Sequence, residues 1–324
     1  MSDPYEPFDM ARLMQAVNAA PSILNTRPWK FDKVAAHRIE LRPDWGRYLR
    51  IIDPLHRELL ISCGAALFNL RLAIRVTGHD PVVWLLPDEQ TGGPVCPHCE
   101  DSCGVGDLLA SVEIITRPAH PVTAAEQRLY EEIPRRQTVR KPFLSKMPMT
   151  VQAELEQAAR MEGAQARLLH GRDTRRLLRH AAQVDQKLKL DPAYVAELRE
   201  WTGSNATPSY GVPADKFGPE PASRRHPPLR DLSLAWPGTR QPKKKFERPQ
   251  LIALETESDK PSDWLRAGQA LQRLLLTASY YHLQASFLTQ ELEEEDMKMP
   301  SSQSARQRWR WPESAQMVIR IGGK

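Results

Sequence analysis

The chain has 324 residues, 41% of them hydrophobic and 26% charged, with a formal net charge of +5. That balance belongs to a folded globular protein of one large or two ordinary domains and excludes a disordered or fibrous chain. No apolar run is expected to reach the length of a bilayer span. The acidic opening "MSDPYEPF" is neither a signal nor a transit peptide, so a cytoplasmic protein without a membrane partner is expected.

The first predicted element is a helix over 9–19, with Asp9 as N-cap and Leu13, Met14 and Val17 on one face. "APSILNTRPW" (20–29) follows as a polar turn closed by Trp29. "WKFDKVAAHRIELRPD" reads as a β-hairpin, and residues 56–78 as a helix apolar almost all round its middle. "PVVWLLP" (81–87) reads as a buried strand, 108–117 as a second strand and 124–133 as a helix. Residues 149–200 carry two helical patterns, the second long and basic. From about 201 to 249 the periodicity dissolves into Pro, Gly, Ser and Arg, as in a lid, a binding loop or a disordered linker. A strand (251–257), a helix (263–282), a strand (285–290) and a last strand ("AQMVIRIGG") complete an α+β pattern.

Four cysteines are too few for a disulfide framework. Cys63 reads as a small core residue. Cys96, Cys99 and Cys103 lie with His98 in "CPHCEDSC", a loop that lacks a second C-x-x-C partner, so no bound metal is expected there. Basic clusters at 240–248 and 305–313 interleave aromatics, but nothing else points to nucleic acid, which is not expected as a partner.

Two helices look alike. "GAALFNLRLA" (64–73) and "GQALQRLLLT" (268–277) share Gly, Ala-Leu and two further leucines at one offset, and each precedes a short strand. An internal duplication explains the match better than chance recurrence of Ala and Leu. A third string, "IPRRQTVRKPF" (133–143), crowds Arg135, Arg136, Arg140 and Lys141 around Thr138. Guanidinium forks and a hydroxyl form a natural phosphate cradle, although a solvated basic turn has the same composition.

Together "APSILNTRPW", "DPLHRELLISCGAALFNLRLA" and "RRQTVRKPF" resemble the nitroreductase fold, and more closely its duplicated, single-chain Acg-like branch. "GVPADKFGP" (211–219) and "PSDWLRAGQALQRLLLTA" (261–278) carry the likeness through nearly the whole chain. The resemblance implies a nitroreductase-like fold, internally duplicated as an intrachain pseudo-dimer. Its halves would be 1–122 and 123–324, the second including the lid-like segment. It also implies one FMN site per chain, completed by a monomer. Arg135, Arg136, Thr138 and Arg140 would serve the phosphate, with Pro21, Ser22 and Asn25 facing them from the other half. Arg27 stands where the family loop carries Gln and adds a charge near the flavin. Ala285 and Ser286, in "LQASF", would meet flavin N5 and O4. The implied activity is FMN-dependent reduction of an electron-poor small molecule, with NAD(P)H as donor and no catalytic acid or base assigned. The alternative is a protein that sequesters FMN beneath its lid.

Overall fold

The computed structural model describes residues 9–87, 106–116, 120–220, 222, 230–236, 238–239, 242–246, 249–290, 292 and 315–323. The cysteine loop and the basic cluster at 305–313 lie outside them.

Helix α1 (Met10–Asn18) starts where its cap dictates: the Asp9 side chain accepts a hydrogen bond from the Ala11 amide. Strands β1 (Trp29–Ala35) and β2 (Arg38–Pro43) form the expected antiparallel hairpin. Helix α2 (Arg57–Val76) leads to β3 (Asp80–Leu85), and β4 (Ala110–Ile115) inserts between β2 and β3. Successive residues of β3 alternate between the two sheet faces, and Val82 and Trp84, turned away from α2, remain 40% and 46% exposed. The buried strand expected from its apolar run is corrected on this point.

The start of α2 is fixed by Asp53, which is 1% exposed. Its carboxylate accepts from the amides of Glu58 (3.0 Å) and Leu59 (2.7 Å), two donors that have no partner inside the helix. Asp53→Ala would leave both donors buried and unmatched. It is expected to cost about 2–3 kcal/mol, read as a lower urea midpoint.

Helix α3 (Ala124–Glu132) opens on a complete capping box between Thr123 and Glu126. Residues 149–200 depart from the two expected helices. They hold α4 (Met149–Arg160), strand β5 (Gln165–Leu169), α5 (Gly171–Leu188) and α6 (Pro192–Glu200). Asp191 caps α6 directly ahead of Pro192 at its first position, which is why the helical pattern breaks there. Between α6 and β6 (Gln250–Glu255) the described residues form only short 3-10 turns at Gly203–Asn205, Ala214–Lys216 and Leu232–Ala235. These turns nevertheless share a core. Val212, Phe217, Leu232 and Ala235 pack with Leu24, Leu49 and Ile52 and with Leu188 and Leu198 of α5 and α6.

Helix α7 (Pro261–Tyr280), β7 (Leu283–Phe287) and β8 (Ala315–Gly323) complete the fold. The two sheets, β1-β2-β4-β3 and β5-β6-β8-β7, follow the same strand order, and every pairing is antiparallel. The first sheet packs on α2 and the second on α7, while α2 and α7 pack on each other.

That crossing depends on two glycines. A Cβ on Gly64 would strike the Leu265 carbonyl oxygen, and one on Gly268 would strike that of Ile61. Each would also come within 2.8–3.0 Å of the other glycine's Cα. Beside the crossing, the Gln272 amide donates to Asn69 Oδ1 at 2.8 Å, and Glu162 joins Arg71 to Arg273. By length and composition α2 is apolar enough to cross a membrane, which corrects the expectation of no such run. Its apolar window is 83% buried inside the fold, and a helix buried on several sides needs the same composition.

Candidate functional site

The turn after α1 is strained. Leu24, Asn25 and Arg27 all have positive φ (43°, 55° and 49°), which costs a residue with a Cβ about 1–2 kcal/mol each. Specific bonds hold it in place. Ser22 Oγ accepts from the Arg27 amide (2.9 Å) and Ser62 Oγ, on α2, from the Ile23 amide (3.2 Å). The Asn25 side-chain amide donates to the Gly211 carbonyl (3.0 Å), and the Gly211 amide donates back to the Asn25 carbonyl (3.1 Å). Trp29, 6% exposed, closes the turn in the core and donates to Asn18 Oδ1 at 3.3 Å.

This turn forms one wall of a cavity of about 750 Å³, open mouth included. Pro21–Leu24 line it, with Glu58, Ile61 and Ser62 of α2 opposite Thr138, Arg140, Ser286 and Phe287. Pro21, Ser22, Thr138, Arg140 and Ser286, far apart in sequence, are brought together here.

The other expected site residues lie elsewhere. Thr138 bridges Ala285 in parallel, and the Val139 amide donates to the Ala285 carbonyl at 2.8 Å. Thr138, Arg140 and Ser286 line the first cavity. Arg135, Arg136 and Ala285 line a second one, of about 950 Å³. Arg135 pairs with Glu132 at 2.8 Å and its side chain is 64% exposed. Arg136 is shut in: its Nε has no hydrogen-bond partner, one Nη reaches only the Ala19 carbonyl at 3.4 Å, and burial lowers its pKa to about 10. Arg140 is also lowered to about 10, by burial and then by the nearby charge of Arg230. It donates to the Lys216 carbonyl at 3.3 Å and, among the described residues, pairs with no carboxylate. Asn25 is committed to Gly211. Arg27 packs toward Tyr210, whose ring also lies 3.8 Å below the Arg47 guanidinium.

Three residues escaped the sequence reading. Arg230, from the 201–249 segment, lines the first cavity, donating to Tyr194 Oη (3.3 Å) and Thr289 Oγ1 (3.1 Å). Arg320 on β8 is fully buried and donates to Ser286 Oγ (3.3 Å) and the Lys141 carbonyl, which fixes both strands of the partition. Glu58, 4% exposed, is the one carboxylate among the lining residues. Of these, only Glu58 carried a signal, as the acidic residue in the first turn of a buried helix.

No protein-family model matches the chain. Curated proteins do. "Putative NAD(P)H nitroreductase Rv3131" of Mycobacterium tuberculosis is 32% identical over 280 residues, 85% of this chain and 74% of that protein. "Putative NAD(P)H nitroreductase acg" of the same organism is 28% identical over 278 residues, 85% and 78% of the two chains. Among solved structures, a putative nitroreductase from Anabaena variabilis aligns with TM-score 0.40 and 11% identity, covering 88% of this chain and 69% of that one. A Bacteroides fragilis nitroreductase with bound FMN aligns with TM-score 0.35 and 11% identity, over 60% and 88%. On the identity and coverage of the mycobacterial relative Rv3131, the chain belongs to the nitroreductase-fold family.

Proposed function

We propose that the chain binds one FMN in the first cavity and reduces an electron-poor small molecule with electrons from NAD(P)H. The observation that supports this most is chemical. The half-buried Arg140 guanidinium shares the cavity lining with the Thr138 hydroxyl, and it has no carboxylate partner among the described residues. Such a group has lost much of its water and gains from an anion, so it fits a phosphate-bearing cofactor. When bound, FMN supplies a two-electron carrier that accepts hydride from a nicotinamide and passes it to an acceptor.

The chain's own residues bind and orient. Thr138 and Arg140 would answer the phosphate charge. Pro21 and Ser22, on a turn pinned by hydrogen bonds to Ser62 and Gly211, would limit where the ring sits. The backbone at Ala285 and Ser286 would meet its reactive edge, held by Arg320. The equal strand orders and the reciprocal Gly64–Gly268 crossing support reading the chain as a duplicated unit. Because the cavity joins residues 21–24 to 138–140 and 286 within one chain, we propose that a monomer completes it. Cytoplasmic residence accords with this chemistry.

The 201–249 segment ties to the turn through Gly211 and lines the cavity through Arg230, which also favours a storage role. One measurement separates the readings. The FMN-loaded protein is expected to be yellow, with a flavin-to-chain ratio near one, and to bleach with NADPH without air. Flavin that stays oxidised under NADPH would leave storage as the function, and a ratio near two would contradict the single site.

A further inference from the structure

We propose that the second cavity is a binding site in its own right, for a small organic anion bearing a carboxylate or a phosphate, with Arg136 as its anchor. Such a ligand lies outside the proposed flavin cavity, and its binding does not require flavin.

The cavity lies between the end of α3 and the end of α7. Glu132, Arg135 and Arg136 reach it from the first, and Ser279, His282 and Gln284 from the second. Its charges do not cancel. Both oxygens of Glu132 are engaged: Oε1 pairs with Arg135 Nη1 at 2.8 Å, and Oε2 accepts from Ser279 Oγ at 2.6 Å. The Arg136 charge is left over. Its pKa is lowered by burial, with no carboxylate near enough to raise it. Its Nε is buried without a hydrogen-bond partner, and Nη2 makes only the long bond to the Ala19 carbonyl. An anion would offset that lost hydration, and a guanidinium edge matches a carboxylate or phosphate with two parallel bonds. Val139, Leu275 and Leu283 add apolar surface, which suits an organic body rather than a bare ion.

His282 points to the same use. It follows Tyr281, the C-cap of α7, in a left-handed conformation (φ 58°) that helix ends ordinarily give to glycine. A residue with a Cβ is strained there, and glycine would not be. Histidine stands there instead and lines the same cavity as Arg136. An imidazole N–H can donate a further bond to an oxyanion. Strain retained at a residue lining a cavity accords with a binding role.

Calorimetry on the FMN-saturated protein, whose first cavity is then filled, compares phenyl phosphate, benzoate and benzamide. The anion that fits is expected to bind about tenfold or more tightly than the neutral amide, as one charge-assisted bond requires. Which of the two anions binds more tightly tells a phosphate ligand from a carboxylate. Arg136→Gln is expected to bring all three compounds together without changing the affinity for FMN, and Arg136→Lys to restore part of the preference. His282→Gly leaves the guanidinium in place and serves if Arg136→Gln does not fold. It is expected to weaken the anions severalfold while raising the urea midpoint, because the strained backbone is relieved. A residue of purely structural use would not lose affinity as the fold gains stability.

Equal binding of the three compounds would overturn the assignment, as would a preference that survives both Arg136→Gln and His282→Gly. So would Arg136→Gln weakening FMN but not riboflavin, which would give the guanidinium to the cofactor phosphate. Failure of FMN to bind would refute the flavin reading alone, and the same titrations on the flavin-free protein and its Arg136→Gln variant would still decide the second site.

Discussion

Gly268→Ala is expected to destabilise the protein by roughly 3 kcal/mol, at the upper end of the range for overpacking. In an ordinary helix the same change gains about 1 kcal/mol, because alanine is the better helix former, so the sign alone identifies the cause. The new methyl would meet the Ile61 carbonyl oxygen and the Gly64 backbone. Backbone in the middle of a buried helix cannot rotate away as a side chain can, and α2 and α7 would have to separate. Gly46→Ala is the control, since its Cβ would find only an Asp44 side-chain oxygen at 3.4 Å, and a change below about 0.5 kcal/mol is expected there. Chemical denaturation of both variants gives the comparison. A neutral or stabilising Gly268→Ala would mean that the two helices do not cross at this point.

The second large effect is on the cofactor. Arg140→Ala removes the charge beside Thr138 and is expected to weaken FMN by about 1.5–3 kcal/mol, the worth of one charge-assisted bond. That is on the order of ten- to a hundredfold in Kd. Riboflavin, which lacks the phosphate, should bind the variant and the parent alike. Arg135→Ala and Arg136→Ala should matter less, because both line the second cavity and Arg135 already pairs with Glu132 in solvent-facing surroundings. Fluorescence titration of both flavins covers every case. If riboflavin binds as tightly as FMN to the parent protein, Arg140 does not serve a phosphate.

The sequence disclosed what local chemistry determines. Asp9 announced α1, Leu and Ala at helical spacing announced α2 and α7, and the hairpin after Trp29 followed from its alternation. It misled where the outcome depends on neighbours. The apolar run at 81–87 reads as buried, yet Val82 and Trp84 are exposed because they alternate onto the sheet face turned away from α2. Strand β5 is only five residues long between two helices and was absorbed into their pattern, although Asp191 and Pro192 did mark the later break. The arginine string was legible as a charge cluster. Its division between two cavities was not, because each cavity is bounded by a distant part of the chain, the turn at 21–24 with α2 for one and the end of α7 for the other. Arg230 had no local mark at all. Its position is set by Thr289, 59 residues away, and by Tyr194.

The strand order of the second sheet has a consequence for how the protein is made. Strand β8 lies between β6 and β7, yet both neighbours leave the ribosome before it. Until β8 emerges, β6 and β7 each present an open edge, and Ser286 lacks the Arg320 guanidinium that fixes it. The strained turn at 24–27 waits as well, because its tie to Gly211 spans 186 residues. The first sheet can form during synthesis from local pairings, whereas the cavity is completed only afterwards, by the slow, long-range closures that limit folding rates. A nascent chain stalled before residue 315 would therefore carry a finished first sheet and no site.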